Sequence, residues 1–108
     1  MGDRVLMQIH SSKTGEFGPV VYGHWSGGKA VEICESLKQK MNTRQGDVSY
    51  SSARLVQLMI QLSGVADENT SVGIWNTEKK LTNADSHGDE GVFLIDCDNN
   101  HSYEQIGN

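Results

Sequence analysis

The stretch that decides the fold is Pro19 to Met41, PVVYGHWSGGKAVEICESLKQKM. From Pro19 to Trp25 it is rich in Val and aromatic residues, and it opens on the only proline, where a strand tolerates the loss of one donor. Ser26, Gly27 and Gly28 then interrupt it, with Ser26 placed as the helix N-cap. From Lys29 onward Ala30, Ile33, Cys34, Leu37 and Met41 recur at helical spacing, leaving Glu32, Glu35, Lys38 and Gln39 outward. A strand that ends at Ser-Gly-Gly and restarts as a helix aims unpaired N–H groups and the positive end of the helix dipole at one point. The expected ligand site is therefore this junction.

Working outward, Arg4 to His10 alternates, with Val5, Met7 and Ile9 on one face and Arg4, Leu6, Gln8 and His10 on the other, the pattern of a half-buried strand. It pairs antiparallel with the Pro19 to Trp25 strand across the polar SSKTGEFG loop, and the loop's length leaves open which way His24 and Trp25 face. Asn42 to Gly46 ends the first helix. Asp47 or Ser49 caps a second, from Tyr50 to about Leu62, whose apolar set of Ala53, Leu55, Val56, Leu58, Met59, Ile60 and Leu62 nearly surrounds the axis. Such a helix is deeply buried or shared with a second subunit, so a homodimer is expected. Gly64 closes it.

Past an acidic turn, Ser71 to Trp75 reads as a short strand, Asn76 to Glu90 as an irregular loop, and Gly91 to Asp96, with its continuous VFLI, as a central strand. Asp98, Asn99 and Asn100 supply a turn, after which Ser102 to Ile106 returns as an edge strand. The expected fold is a single α+β domain over residues 1–108, in order ββααβββ, with two helices on one face of a mainly antiparallel sheet of four to five strands.

Composition narrows the partners. With 36% hydrophobic and 21% charged residues, the chain has the make-up of a soluble globular domain, and no stretch approaches a membrane span. MGDRVLMQIH lacks the features of an export signal, so a cytoplasmic location is expected. Cys34 and Cys97 lie far apart without metal-ligand spacing and read as buried thiols. The net charge of −5 is uneven, with residues 1–62 carrying seven Lys or Arg against five acids and residues 63–108 two against nine. No basic cluster suited to long nucleic acid appears, whereas one small anion at a helix start remains compatible with the charge.

Ser26-Gly27-Gly28-Lys29 has the glycines and adjacent Lys of a phosphate loop but not the P-loop spacing. The Ser-Gly-Gly opening of ATP pyrophosphatase loops is likewise followed by Ala30-Val31 where Asp-Ser would stand. An imidazole and an indole at His24 and Trp25 suit stacking on a base or bonding a phosphate. His10 and His24 fall at opposite ends of the hairpin, which disfavours a paired-histidine phosphodiesterase. Asp96, Asp98 and Asn100 begin like an EF-hand loop, yet His101 and Gly107 stand where Gly and Glu are needed, so no metal or cofactor is expected.

MGDR at the start, PVVYGHWSGG, YSSARLVQ, SVGIWN and GDEGVFLID together resemble a family of small uncharacterised bacterial and phage proteins that share a Met-Gly-Asp-Arg start and a His-Trp-x-Gly-Gly motif. The matching positions are Gly2, Asp3, Arg4, Tyr22, His24, Trp25, Gly27, Gly28, Tyr50, Ala53, Arg54, Gly73, Gly91 and Asp96, while Lys29-Ala30 replaces the family's frequent Pro-Glu. The resemblance implies no activity. It implies an accessory or counter-defence role, in the host cytoplasm if the chain is phage-encoded.

The expected function is non-catalytic binding of a small anionic, nucleotide-like ligand by His24, Trp25, Ser26, Gly27, Gly28 and Lys29, with Arg4 and Arg54 as charge partners. No catalytic residue is assigned. The alternatives are a protein-interaction module acting through the acidic C-terminal half, including Asp85, Asp89 and Glu90, and a small phosphodiester hydrolase using His24 with Asp96 or a loop metal.

Overall fold

A computed structural model describes residues 3–62 and 72–107. Met1, Gly2, Gly64, Ser71 and the acidic turn before Ser71 lie outside the described residues. The elements follow the expected order: β1 (Val5–His10), β2 (Val20–Gly23), α1 (Ala30–Lys40), α2 (Val48–Leu62), β3 (Val72–Trp75), β4 (Val92–Asp96) and β5 (Ser102–Ile106). They form one five-stranded sheet in the order β3-β2-β1-β4-β5. Every neighbouring pair is antiparallel except β1 with β4, which run parallel from Leu6 opposite Val92 to His10 opposite Asp96. The domain is α+β with a mostly antiparallel sheet.

Both helices cover one face. Ala30, Ile33, Cys34, Leu37 and Met41 are buried, as their spacing requires, together with Leu55, Leu58 and Met59 of α2 and with Val5, Met7, Ile9, Val21, Phe93 and Ile95 of the sheet. Asp47, rather than Ser49, caps α2 by accepting from the Tyr50 N–H at 2.8 Å. The α2 apolar set is not buried all round, since Ala53 is exposed and Ile60 is 39% exposed. Cys34 and Cys97 are buried free thiols whose pKa values burial pushes up to about 12 and about 11.

β1 departs from the half-buried expectation. It is the middle strand, and Leu6 and Gln8 on its second face are buried as well as Val5, Met7 and Ile9 on the first. The cover on that second face is the segment from Asn76 to Gly91, whose Leu81 packs with Leu6, Val20, Val92 and Leu94. Gln8 holds it there, accepting from the Leu81 N–H at 2.8 Å and donating to the Gly18 carbonyl at 3.0 Å. A buried amide is tolerated in a sheet core only when its donors and acceptor are matched in this way. No helix among the described residues is long and apolar enough to cross a membrane.

Candidate functional site

The junction after β2 is built by the N-terminal segment. The Asp3 N–H donates to the His24 carbonyl at 2.8 Å and the Gly27 N–H to the Asp3 carbonyl at 2.7 Å, so one residue clips both sides of the turn. Gly27 to Lys29 form one turn of 3-10 helix that leads into α1. Ser26 is buried and makes no side-chain capping bond; it packs beneath Gly23, where a Cβ would strike its hydroxyl.

The Asp3 carboxylate lies directly over the two glycines. A Cβ on Gly27 would collide with it and with Glu90, and one on Gly28 would come within 3.3 Å of Asp3 Oδ2. The requirement for glycine here is thus close approach by the protein's own carboxylate. The Lys29 N–H donates to Ser26 and the Ala30 N–H to Gly27, so these amides are satisfied internally. The Lys29 ammonium stands 3.6 Å from Glu32 in a half-exposed pair.

Beside this turn the structure assembles something the spacing did not show. Tyr22, on the face covered by the 76–91 segment, has its ring centroid 5.8 Å from Trp75 and 5.5 Å from His87. Trp75 and His87 stack at 17°. On the other side the Tyr22 hydroxyl bonds His24 Nδ1 at 2.8 Å, and His24 meets Trp25 edge to face at 4.9 Å. Five rings therefore form one continuous surface, with Trp25 46% and Trp75 43% exposed. A shallow cleft of about 400 Å³ between Tyr22, His24, Val72 and Gly73 opens beside it.

Arg4 ties down the end of the segment that carries His87. Its Nε and its backbone N–H both donate to Asp89 Oδ2 at 2.9 Å, and its carbonyl accepts from Glu90 N–H at 3.1 Å. The backbone and guanidinium bonds from Arg4 hold the Asp89 carboxyl below its usual range. Asp85 is bound to Lys79 at 2.6 Å and closes a capping box with Thr82. Two of the segment's four acids are therefore spent in folding the cover.

Of the residues expected at the site, His24, Trp25, Ser26, Gly27, Gly28, Lys29 and Arg4 share one end of the sheet. Arg54 does not. It lies at the far end of α1, beside Lys40 and Arg44, with its guanidinium 5.1 Å from the Tyr50 ring. Asp96 pairs with His10 in register whereas His24 follows Gly23, which pairs with Val5, so Asp96 and His24 stand at opposite ends of β1. Asp96 and Asp98 instead accept bonds from Ser11, Ser12 and Lys13 and fasten the β1–β2 loop. Among the described residues no group of three or more His, Cys, Asp or Glu could hold a metal ion.

Sequence reasoning did not find Asp3 as the glycines' partner, and it did not bring Trp75 or His87 to the site. A tryptophan ending a short strand was an available signal; a histidine in an irregular loop carries no indication of what it packs against. No family model, curated protein or solved structure matches the chain significantly.

Proposed function

We propose that this chain is a non-catalytic binding protein that takes a nucleotide-like ligand by stacking its base on the ring surface around Tyr22. The observation that carries the reading is the set of five contiguous rings with two tryptophans nearly half exposed. Every base presents a flat face, and stacking on an aromatic side chain contributes about 1–3 kcal/mol per base. His24 and His87 supply ring N–H donors for the ligand's polar groups. The Ser26 to Lys29 turn contributes by fixing His24 and Trp25, since the Asp3 carboxylate lies close over its glycines and leaves little room there for a ligand. In a phage setting, this binding would sequester a nucleotide immune signal.

Thermal-shift screening with cyclic and linear nucleotides tests the reading. A bound nucleotide raises the melting temperature by mass action, and Trp75→Ala, at an exposed position, weakens that response about tenfold or more. Absence of a shift with every nucleotide would sink the proposal.

A second reading, capture of a partner protein, is favoured by β3. It is an edge strand, and Ile74 on its other side is 55% exposed. Ile74→Asp should abolish such capture and leave the nucleotide response in place, which separates the two readings. Association of two copies through the exposed Ala53 and Ile60 of α2 belongs to this second reading.

A further inference from the structure

The far end of α1 holds a concentration of positive charge that nothing in the ring surface uses. Lys40 at the end of α1, Arg44 in the following turn and Arg54 on α2 converge on a cleft of about 400 Å³, lined also by Met41, Thr43 and Tyr50. The guanidinium of Arg44 sits 4.0 Å from the Tyr50 ring centroid and that of Arg54 5.1 Å from it. Two guanidinium groups are thus gathered on one ring, where cation–π attraction offsets part of their mutual repulsion.

The compensating charge is incomplete. Asp47 is the one carboxylate among the described residues paired with this group, at 3.3 Å from Arg44, and its other oxygen is committed to the Tyr50 N–H. Among the described residues, three cations against one paired carboxylate leave two positive charges, in a chain whose net charge is −5. The helix dipole accounts for Lys38 and Lys40 in the last turn of α1, but Arg54 stands in the interior of α2, away from either end. Arg54 Nε is moreover buried without an acceptor among the described residues, a costly condition for a charged donor.

The geometry points to this cleft as a binding site for a compact dianion, of which a terminal phosphate monoester group is the fitting class. Planar guanidinium forks match tetrahedral oxyanions in paired hydrogen bonds, Lys40 adds a point charge, and the Thr43 hydroxyl can donate a neutral bond. The stacked Tyr50 holds the two forks in place, so little side-chain freedom is lost on binding. The site is independent of the ring surface, because the two lie at opposite ends of α1.

The test is a titration of the isotopically labelled full chain with inorganic phosphate and with pyrophosphate, read by amide chemical shifts, against sodium chloride at matched ionic strength. Saturable shifts confined to residues 40–54 are expected, and Arg54→Gln and the more exposed Arg44→Gln should each weaken binding about tenfold. Trp75→Ala should leave phosphate binding unchanged, which separates failure here from failure of the ring-surface reading. Shifts that chloride reproduces, shifts that do not saturate, or equal affinity in a folded Arg44→Gln variant would overturn the assignment.

Discussion

The two ends of α1 present opposite solutions to exposing polar chemistry. At its start, charge is matched: Asp3 covers the Gly27–Gly28 turn, Lys29 faces Glu32 and Arg4 binds Asp89, and what remains outward is a surface of rings. At its end, charge is in excess and the one exposed ring, Tyr50, is covered by two guanidinium groups. The first end therefore discriminates by shape and stacking, the second by charge. Salt should separate them, because screening weakens contacts between exposed charges far more than it weakens stacking.

The largest effect is expected at Gly27. In Gly27→Val the new side chain meets the Asp3 carboxylate and Glu90, and overpacking of this kind costs about 1–3 kcal/mol or more. Denaturant unfolding should show a lower midpoint, and fluorescence should report Trp25 displaced. An unaltered midpoint would mean that Asp3 is not seated on the turn.

Gln8→Ala should have a smaller effect confined to one end. It leaves the buried Leu81 N–H without its acceptor, at a cost of about 1–3 kcal/mol, and loosens the segment that carries His87. Hydrogen exchange should rise through residues 76–91, and nucleotide response should fall while the 40–54 amides stay as they were. Uniform change at both ends would contradict Gln8 as a local tie.

The mildest perturbation is pH, and it falls on the other end. His101 is buried, with Nε2 bonded to the Ser51 hydroxyl at 2.8 Å beside Tyr50, and burial lowers its pKa despite Asp96 and Asp98. Burial and Lys80 also lower that of His10. A histidine whose folded pKa is depressed binds its proton more readily when unfolded. Its contribution to stability is therefore complete above about 6.5 and is lost as pH falls toward the folded value. The paired carboxylates join only at lower pH, since Asp47, Asp85 and Asp89 are all held below their usual range. Melting temperature should decline below about pH 6.5 in the native chain and less steeply in His101→Gln. Equal slopes would remove His101 as the cause.

Much of the fold was legible because helix burial is a local property. Ala30, Ile33, Cys34, Leu37 and Met41 meet the core wherever the sheet places α1, and the alternation of Val5, Met7 and Ile9 survives any strand order. The second face of β1 was not legible. Gln8 reads as a polar outward residue until a distant loop supplies the partners that allow its burial. For the same reason Arg54 could be placed on α2 but not at an end of α1, because helix spacing says nothing of a neighbouring element's turn.

The order of the seven elements, the buried face of α1 and the presence of His24 and Trp25 at a glycine turn are legible in the chain alone, since these follow from periodicity and turn chemistry, whereas the exposure of Ala53 and Ile60 on α2 is not. Packing across the fold sets the rest: Asp3 lies over that turn, Tyr22, Trp75 and His87 complete a surface of rings, and Lys40, Arg44 and Arg54 gather around Tyr50. Those are contacts between segments remote in the chain, fixed by strand order and by the parallel pairing of β1 with β4, which no local pattern encodes.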